Sequence, residues 1–442
     1  MSAVKIPSRG QHAVLLASAS SGGTIAAVRN LGRNGVGAQV LSSTRLDAAA
    51  WSRHTSRTYS TPAEIDHEQF FDRIMAIGKA NPGLVLLPTS DQTAWIYTAN
   101  AAALAQYFLM YQPSLESIRR ILDKKLLTDA AIQAGLDVLP SWDPETSDEL
   151  WKLVATFPYP MLIKPRTHVQ RLRNDKGVVV ETPDEFSKQY ENFLVRERYR
   201  SAPPAQSIDF QRPLLQQFAV DGSQNVQSIT GFVDRTGELF VSRRSVKVFQ
   251  RSQPIGVGIC HEALPASLEL SRMVYDLCRE LNYFGVFEAE FILFNGRWAM
   301  IDFNPRFYNQ TGLDIRRGMP LPLLAFLDAS GQTDALSEAV AKAQVENESP
   351  LVFCDQFTLK AILLAQGIVS RAPRANRQRW RAWSRQHAAH CVDVAIDKSD
   401  PMPAIVHALS EIYLGVRALP QFVRTTRRKS LAPTVLAEKL LS

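Results

Sequence analysis

Cysteine is scarce in this chain, four in 442 residues. Cys260, Cys278, Cys354 and Cys391 lie far apart along the sequence and make no CxxC or Cys/His cluster. Zinc binding and a disulfide framework are therefore unsupported, and a reducing cytoplasm is the expected compartment. Long apolar runs are missing too, since none reaches the roughly 18 residues that span a bilayer. Lys5 and Arg9 ahead of the apolar residues 13–17 give the start the look of a signal peptide. That apolar core is too short and a turn follows at once, so the segment reads as a first strand. A full G-x-G-x-x-G is absent, with Gly32, Gly35 and Gly37 clustered at a helix end, which disfavours a nicotinamide site. No G-x-S-x-G, no Cys/His nucleophile signature and no internal repeat occurs.

Charge is nearly balanced over most of the chain. The formal +7 divides into +8 for residues 371–442, with 13 Lys/Arg against 5 Asp/Glu, and −1 for the other 370 residues. Such a tail is either a solvated face or a contact for an anionic surface or acidic partner. Nucleic acid is not the expected partner. No basic stripe interleaved with aromatics runs through the body, although Trp380 and Trp383 lie among the arginines. The last stretch, 422–442, has too little apolar patterning to read as a membrane-surface helix.

What is present is an α/β pattern. Apolar strands at 12–17, 36–41 and 84–88 alternate with helical stretches at 24–34 and 92–104, which predicts a parallel sheet of the doubly wound type. The SSGG turn after the first strand offers a helix N-terminus for an anion. A helical stretch at 117–135 carries Lys124 and Lys125. The segment YPMLIKP, 159–165, places Lys164 alone in an apolar strand, where burial of its ammonium demands a partner. Next come RTHVQRLRNDKG with His168, Arg171, Arg173 and Lys176, then LLQQFAV with Gln216, Gln217 and Phe218. A hairpin follows over 226–244, with Lys247 and Arg251 beyond it.

The densest stretch is 283–306, YFGVFEAEFILFNGRWAMIDFNPR. Its Asn295–Gly296 turn is the strongest short-range hairpin signal a sequence carries. Strand alternation puts Glu288 and Glu290 on one face, and pairing across the turn brings Glu290, Asp302 and Asn304 together. Two carboxylates and an amide oxygen are hard ligands, suited to Mg²⁺, with Mn²⁺ the other ion of this class. Arg306, two residues on, suits a phosphate. The bland alternative is a hairpin whose acids face water.

The pattern E-F-(x)₁₀-D-x-N-x-R resembles the metal-binding end of ATP-grasp enzymes, although Glu is commoner there than Asp302. Around it, D-K at Asp123–Lys124, the strand ending in Lys164-Pro165, and the hinge Gln216–Phe218 stand in that family's order. The resemblance covers residues 117–329. It implies a Rossmann-like unit over 1–115, an ATP-grasp unit over 116–330 (parts 116–213 and 214–330), and a smaller basic region over 331–442. It implies ATP held by Lys124, Lys164, Lys176, Gln216, Gln217 and Phe218, a metal on Glu290, Asp302 and Asn304, and catalytic roles for Arg306 and Lys247. Arg316 or Arg317 would take a substrate carboxylate.

The implied activity is ATP-dependent ligation of a carboxylate to an amine through an acyl phosphate, similar to D-aspartate-ligase-like and carbamoyl-phosphate-synthase-like ligases. Both substrates would be small molecules, and a homo-oligomer stays open. Two departures stand out. The phosphate lid has a single glycine, so side chains rather than a nest of backbone amides would grip phosphate, and Gln217 replaces the usual Glu. The glycine-poor lid, with no biotinylation motif, argues away from biotin carboxylase. Both departures also support a second reading, a non-catalytic, regulatory nucleotide-binding protein with a degenerate site.

Overall fold

The computed structural model describes residues 12–173, 175–200, 212–220, 225–251, 255–345, 350–368 and 374–428. The charged residues of the signal-like start, part of the hinge turn and the end of the basic tail lie outside them. The first unit is a five-stranded parallel sheet of order β3-β2-β1-β4-β5, built from β1 (Val14–Leu16), β2 (Ala38–Ser42), β3 (Thr55–Ser60), β4 (Leu84–Leu86) and β5 (Phe108–Met110). Val14, Leu15, Leu16, Val85 and Leu86 are fully buried, as strands covered on both faces require. Strand order reverses between β1 and β4. The predicted strands thus appear, with β3 and β5 added; β3, TSRTYS, is polar and mostly exposed, which hid its strand character.

The SSGG turn does open a helix, Gly22–Arg33, and its glycines lie against a neighbouring segment. A Cβ on Gly22 would sit 2.4 Å from Asn309 Oδ1, and one on Gly23 2.7 Å from the Tyr308 carbonyl oxygen. The glycines are there because another backbone packs against them.

Two further sheets follow. The smaller is antiparallel, order β7-β10-β8-β9, from β7 (Ser141–Trp142), β8 (Met161–Lys164), β9 (Val178–Val180) and β10 (Leu214–Gln217). The larger has eight strands, order β17-β16-β13-β12-β11-β14-β15-β6. Its members are β6 (Asp137–Val138), β11 (Val226–Val233), β12 (Phe240–Arg251), β13 (Val257–Leu264), β14 (Gly285–Phe294), β15 (Arg297–Asn304), β16 (Val352–Cys354) and β17 (Cys391–Asp393). Residues beyond 330 thus extend the same sheet. Within 351–361 the chain forms β16 and then enters the helix Gln356–Ile368.

Cys260 and Cys354 prove to be register partners across β13 and β16, with Sγ atoms 3.3 Å apart as free thiols. Separation in sequence had hidden that neighbourhood.

Candidate active site

The hairpin forms as patterned. Asn295 and Gly296 both take positive φ, 50° and 80°, the geometry a tight primed turn demands. Register pairs Glu290 with Asp302 and Glu288 with Asn304, with a bulge between Glu290 and Phe291. β14 lies against β11, and Glu290 and Asp302 face a cleft of about 700 Å³ between the two sheets. Lys164, Lys176, Gln216, Gln217, Phe218, Lys247, Glu290 and Asp302 all line it.

Lys124 reaches the cleft by an unexpected break. The helical stretch predicted at 117–135 divides into Leu115–Leu122 and Lys124–Gln133. Asp123 caps the second helix, accepting from the N–H groups of Lys125 at 2.9 Å and Leu126 at 3.3 Å. It is itself held by Arg166 at 2.7 Å. Lys124 therefore starts a helix, and its Nζ donates to Asp302 Oδ1. Lys247 Nζ donates to Glu290 Oε1 at 2.6 Å. Lys164 Nζ is 2.9 Å from the Ile301 carbonyl oxygen, and Lys176 has no ion pair among the described residues.

These contacts set the charges. Burial disfavours the charged form of Asp302, but Lys124, Lys176 and Lys164 together hold its carboxyl well below the usual range. Lys164 is lowered to about 8, chiefly by burial, with Lys124 and Lys176 adding to the effect and Asp302 opposing it. Lys124 and Lys247 are raised despite burial, by Asp302 and Glu290 respectively.

Glu288 is a residue that sequence reading placed on the right face and left without a role. It accepts from Ser228 Oγ at 3.0 Å, from Asn304 Nδ2 at 3.1 Å and from Gln310 Nε2. Burial, then the Glu290 charge, push it up to about 7. Asp91 was likewise missed. It opens the helix Asp91–Ala99 in the first unit and accepts from Arg306 Nε at 2.8 Å. Burial opposes its ionisation, yet Arg306, Lys124 and His168 hold it low. Only the fold could reveal this pair, 215 residues apart. Arg306 Nη2 also donates to Asn304 Oδ1 at 3.1 Å, so both ends of that amide are engaged inside the protein.

Several expected contacts lie elsewhere. Arg171 is buried against Glu197 and Asp175, and Arg173 pairs with Asp175, so neither is free for phosphate. For His168, burial, then the Lys176 and Lys124 charges, lower the imidazole well below the ordinary histidine value, against the pull of Asp91. Arg317 is buried and donates to the carbonyl oxygens of Arg244 and Leu264, each at 2.9 Å. Arg316 is exposed at a separate cleft beside Asn309 and His390. Arg251 pairs with Glu411 at 3.2 Å. In the hinge, the N–H groups of Gln217 and Phe218 already donate to Pro140 and Pro160 carbonyl oxygens at 2.8 and 2.9 Å. Gln216 Nε2 donates to Ser141 Oγ at 3.1 Å, leaving Gln217 facing the cleft.

Among the described residues no three His, Cys, Asp or Glu side chains converge as a preformed metal cage. The donor set nevertheless suits Mg²⁺, which commonly takes one or two carboxylates and completes its shell with substrate phosphates and water. No protein donor among the described residues reaches Glu290 Oε2 or Asp302 Oδ2. An open oxygen on each of two opposed strands is the arrangement such an ion needs.

The chain has the ATP-grasp fold. The biotin carboxylase domain of Hydrogenobacter thermophilus 2-oxoglutarate carboxylase, solved with MgADP, ADP and bicarbonate, matches with TM-score 0.58 at 14% identity, over 74% of this chain and 70% of that one. N5-carboxyaminoimidazole synthetase from Staphylococcus aureus gives 0.54 at 13% identity, over 74% and 79%. L-amino acid ligase from Bacillus licheniformis gives 0.54 at 14% identity, over 73% and 75%. At such identities the ATP-grasp likeness is one of fold. No family model matches the sequence, and no curated protein does.

Proposed function

We propose that this ATP-grasp protein is an ATP-dependent carboxylate–amine ligase, with residues 116–330 as its catalytic unit and 1–115 on the substrate side. The observation that carries it is the convergence of Glu290, Asp302, Lys164, Lys176 and Lys247 on one cleft, with Lys124 paired to Asp302. Opposed carboxylates ringed by lysines match a polyphosphate and its divalent ion, not a neutral ligand. Neighbours of the same fold act on carboxylate- or amine-bearing substrates by name, which supports the class without naming the substrates.

On this reading Glu290 and Asp302 would hold Mg²⁺, whose charge would screen that of the β- and γ-phosphates. Lys164 and Lys176 are the cations available to the nucleotide from the outset. Lys124 and Lys247 are engaged with Asp302 and Glu290 and would balance charge beside the phosphates. The base would be met by Gln217, by hinge carbonyl oxygens and by Phe218 and Ala219. A substrate carboxylate oxygen attacks the γ-phosphorus, forming an acyl phosphate and releasing ADP. The amine nitrogen then attacks the acyl carbon, loses a proton and expels phosphate. Arg306, fixed by Asp91, would steady the acyl phosphate. The lysines and Arg306 position reactants and balance charge, and no protein nucleophile is required.

The test is phosphate release from MgATP across pooled amino acids and small carboxylic acids, with mass spectrometry of positive pools. Release requiring two added substrates, with a product lighter than their sum by one water, is the expected result. ATP binding without release in any pool would favour the regulatory nucleotide-binding reading.

A further inference from the structure

The helix Met402–Arg428 carries an apolar stripe on the wrong side for packing. Pro403 and Val406 are buried against the body, and His407 Nε2 lies 3.2 Å from Asp355 Oδ2. Ile405, Leu409, Ile412 and Val416 are instead 52%, 51%, 53% and 66% exposed. Their spacing of four, three and four residues draws one line along a helix. At about 100° per residue that line runs on the side away from Pro403 and Val406. Tyr413 borders it, half exposed, with the Arg417 guanidinium 5.5 Å over its ring and Arg417 Nη1 donating to its hydroxyl at 3.2 Å. An aromatic ring topped by an arginine suits a boundary between hydrocarbon and polar headgroups.

Charge selects the occupant. Glu411 is the single acidic residue of this helix, and it is already paired with Arg251. Arg417, Arg424, Arg427 and Arg428 follow it in the sequence. A second copy of the helix would meet like charge with no free acid to offset it. Its short stripe also falls far below the roughly 20–30 residues a side of a stable protein interface. An anionic lipid surface accepts both features, taking the stripe among its acyl chains and Arg417 among its headgroups. No helix among the described residues is long and apolar enough to cross a membrane, so the geometry is that of a helix lying on the surface.

We propose that the helix Met402–Arg428 docks this protein, face down on Ile405, Leu409, Ile412 and Val416, onto an anionic lipid surface. The stripe lies apart from the catalytic cleft, so this docking is independent of the ligase reading.

The experiment is co-sedimentation of the full chain with phosphatidylcholine vesicles, with and without phosphatidylglycerol, at low and raised salt. Binding is expected to be at least about tenfold stronger to the anionic vesicles and to weaken with salt. The Ile412→Glu/Val416→Glu variant should lose about tenfold or more, with its unfolding midpoint and ATP affinity unchanged. Arg417→Ala, which spares the stripe, should lose roughly fivefold. Failure to bind anionic vesicles, or equal binding to both kinds, would overturn the proposal. So would a wild-type dimer in solution that the stripe variant converts to monomer, since the stripe would then belong to a second copy.

Discussion

At the scale of single residues, the site stores its reactivity in charges that burial makes expensive. Lys164 at about 8 is the clearest case. Below that value it is an ammonium and attracts phosphate; as pH rises through it, the charge is lost. ATP affinity measured by calorimetry is therefore expected to fall between pH 7 and 9, and Lys164→Arg should flatten that fall. Glu288 runs the other way. Its folded value of about 7 lies above the ordinary value of 4.5, so the native state holds a proton that the unfolded chain releases. That stabilisation is full below the unfolded value and is lost as pH rises toward 7. Thermal unfolding of the metal-free protein should show this loss between about pH 4.5 and 7, and Glu288→Gln should remove the slope. Asp302→Ala would leave Lys124 buried and unpaired, at a cost of about 3–5 kcal/mol. Asp302→Asn keeps the shape, and it should abolish ATP-dependent phosphate release while the protein stays folded.

At the scale of elements, one turn controls the site. Glu290 meets Asp302, and Glu288 meets Asn304, only because the Asn295–Gly296 turn sets the register of β14 against β15. A slip of one residue would send each set to the opposite face. Gly296 sits at φ 80° with nothing within 4 Å of a built Cβ, so substitution there costs backbone strain and not a clash. Gly296→Val is expected to destabilise the protein by about 1–2 kcal/mol in denaturant unfolding. The helix break at Asp123 is a second such device. It is legible in retrospect as an N-cap, yet continuous helical periodicity across 117–135 masked it.

At the scale of the whole molecule, long-range ion pairs tie the units together. Arg306 joins the hairpin to Asp91 of the parallel-sheet unit. Arg29 on the first helix donates to Asp400 Oδ2 at 2.9 Å and to the carbonyl oxygens of Ala395 and Asp400 at 2.7 and 2.8 Å. Both partners of that pair are buried. Arg29→Ala should cost about 3–5 kcal/mol by stranding the Asp400 carboxylate, read as a lowered thermal midpoint. Limited proteolysis should then cut first around residues 395–400.

The sequence by itself determined the local grammar: strand alternation, the hairpin turn, the lysines in apolar surroundings, and the order of elements in an ATP-grasp chain. Those signals are short-range, because backbone geometry and side-chain periodicity act within a few residues. Which charges are spent and which are free was decided only by the tertiary structure. Arg171, Arg173 and Arg317 look like anion binders in sequence, but each is consumed by neighbours that folding supplies. Asp91 and Glu288 look ordinary in sequence, yet folding buries them beside Arg306 and Glu290, where lowered solvation makes every nearby charge count.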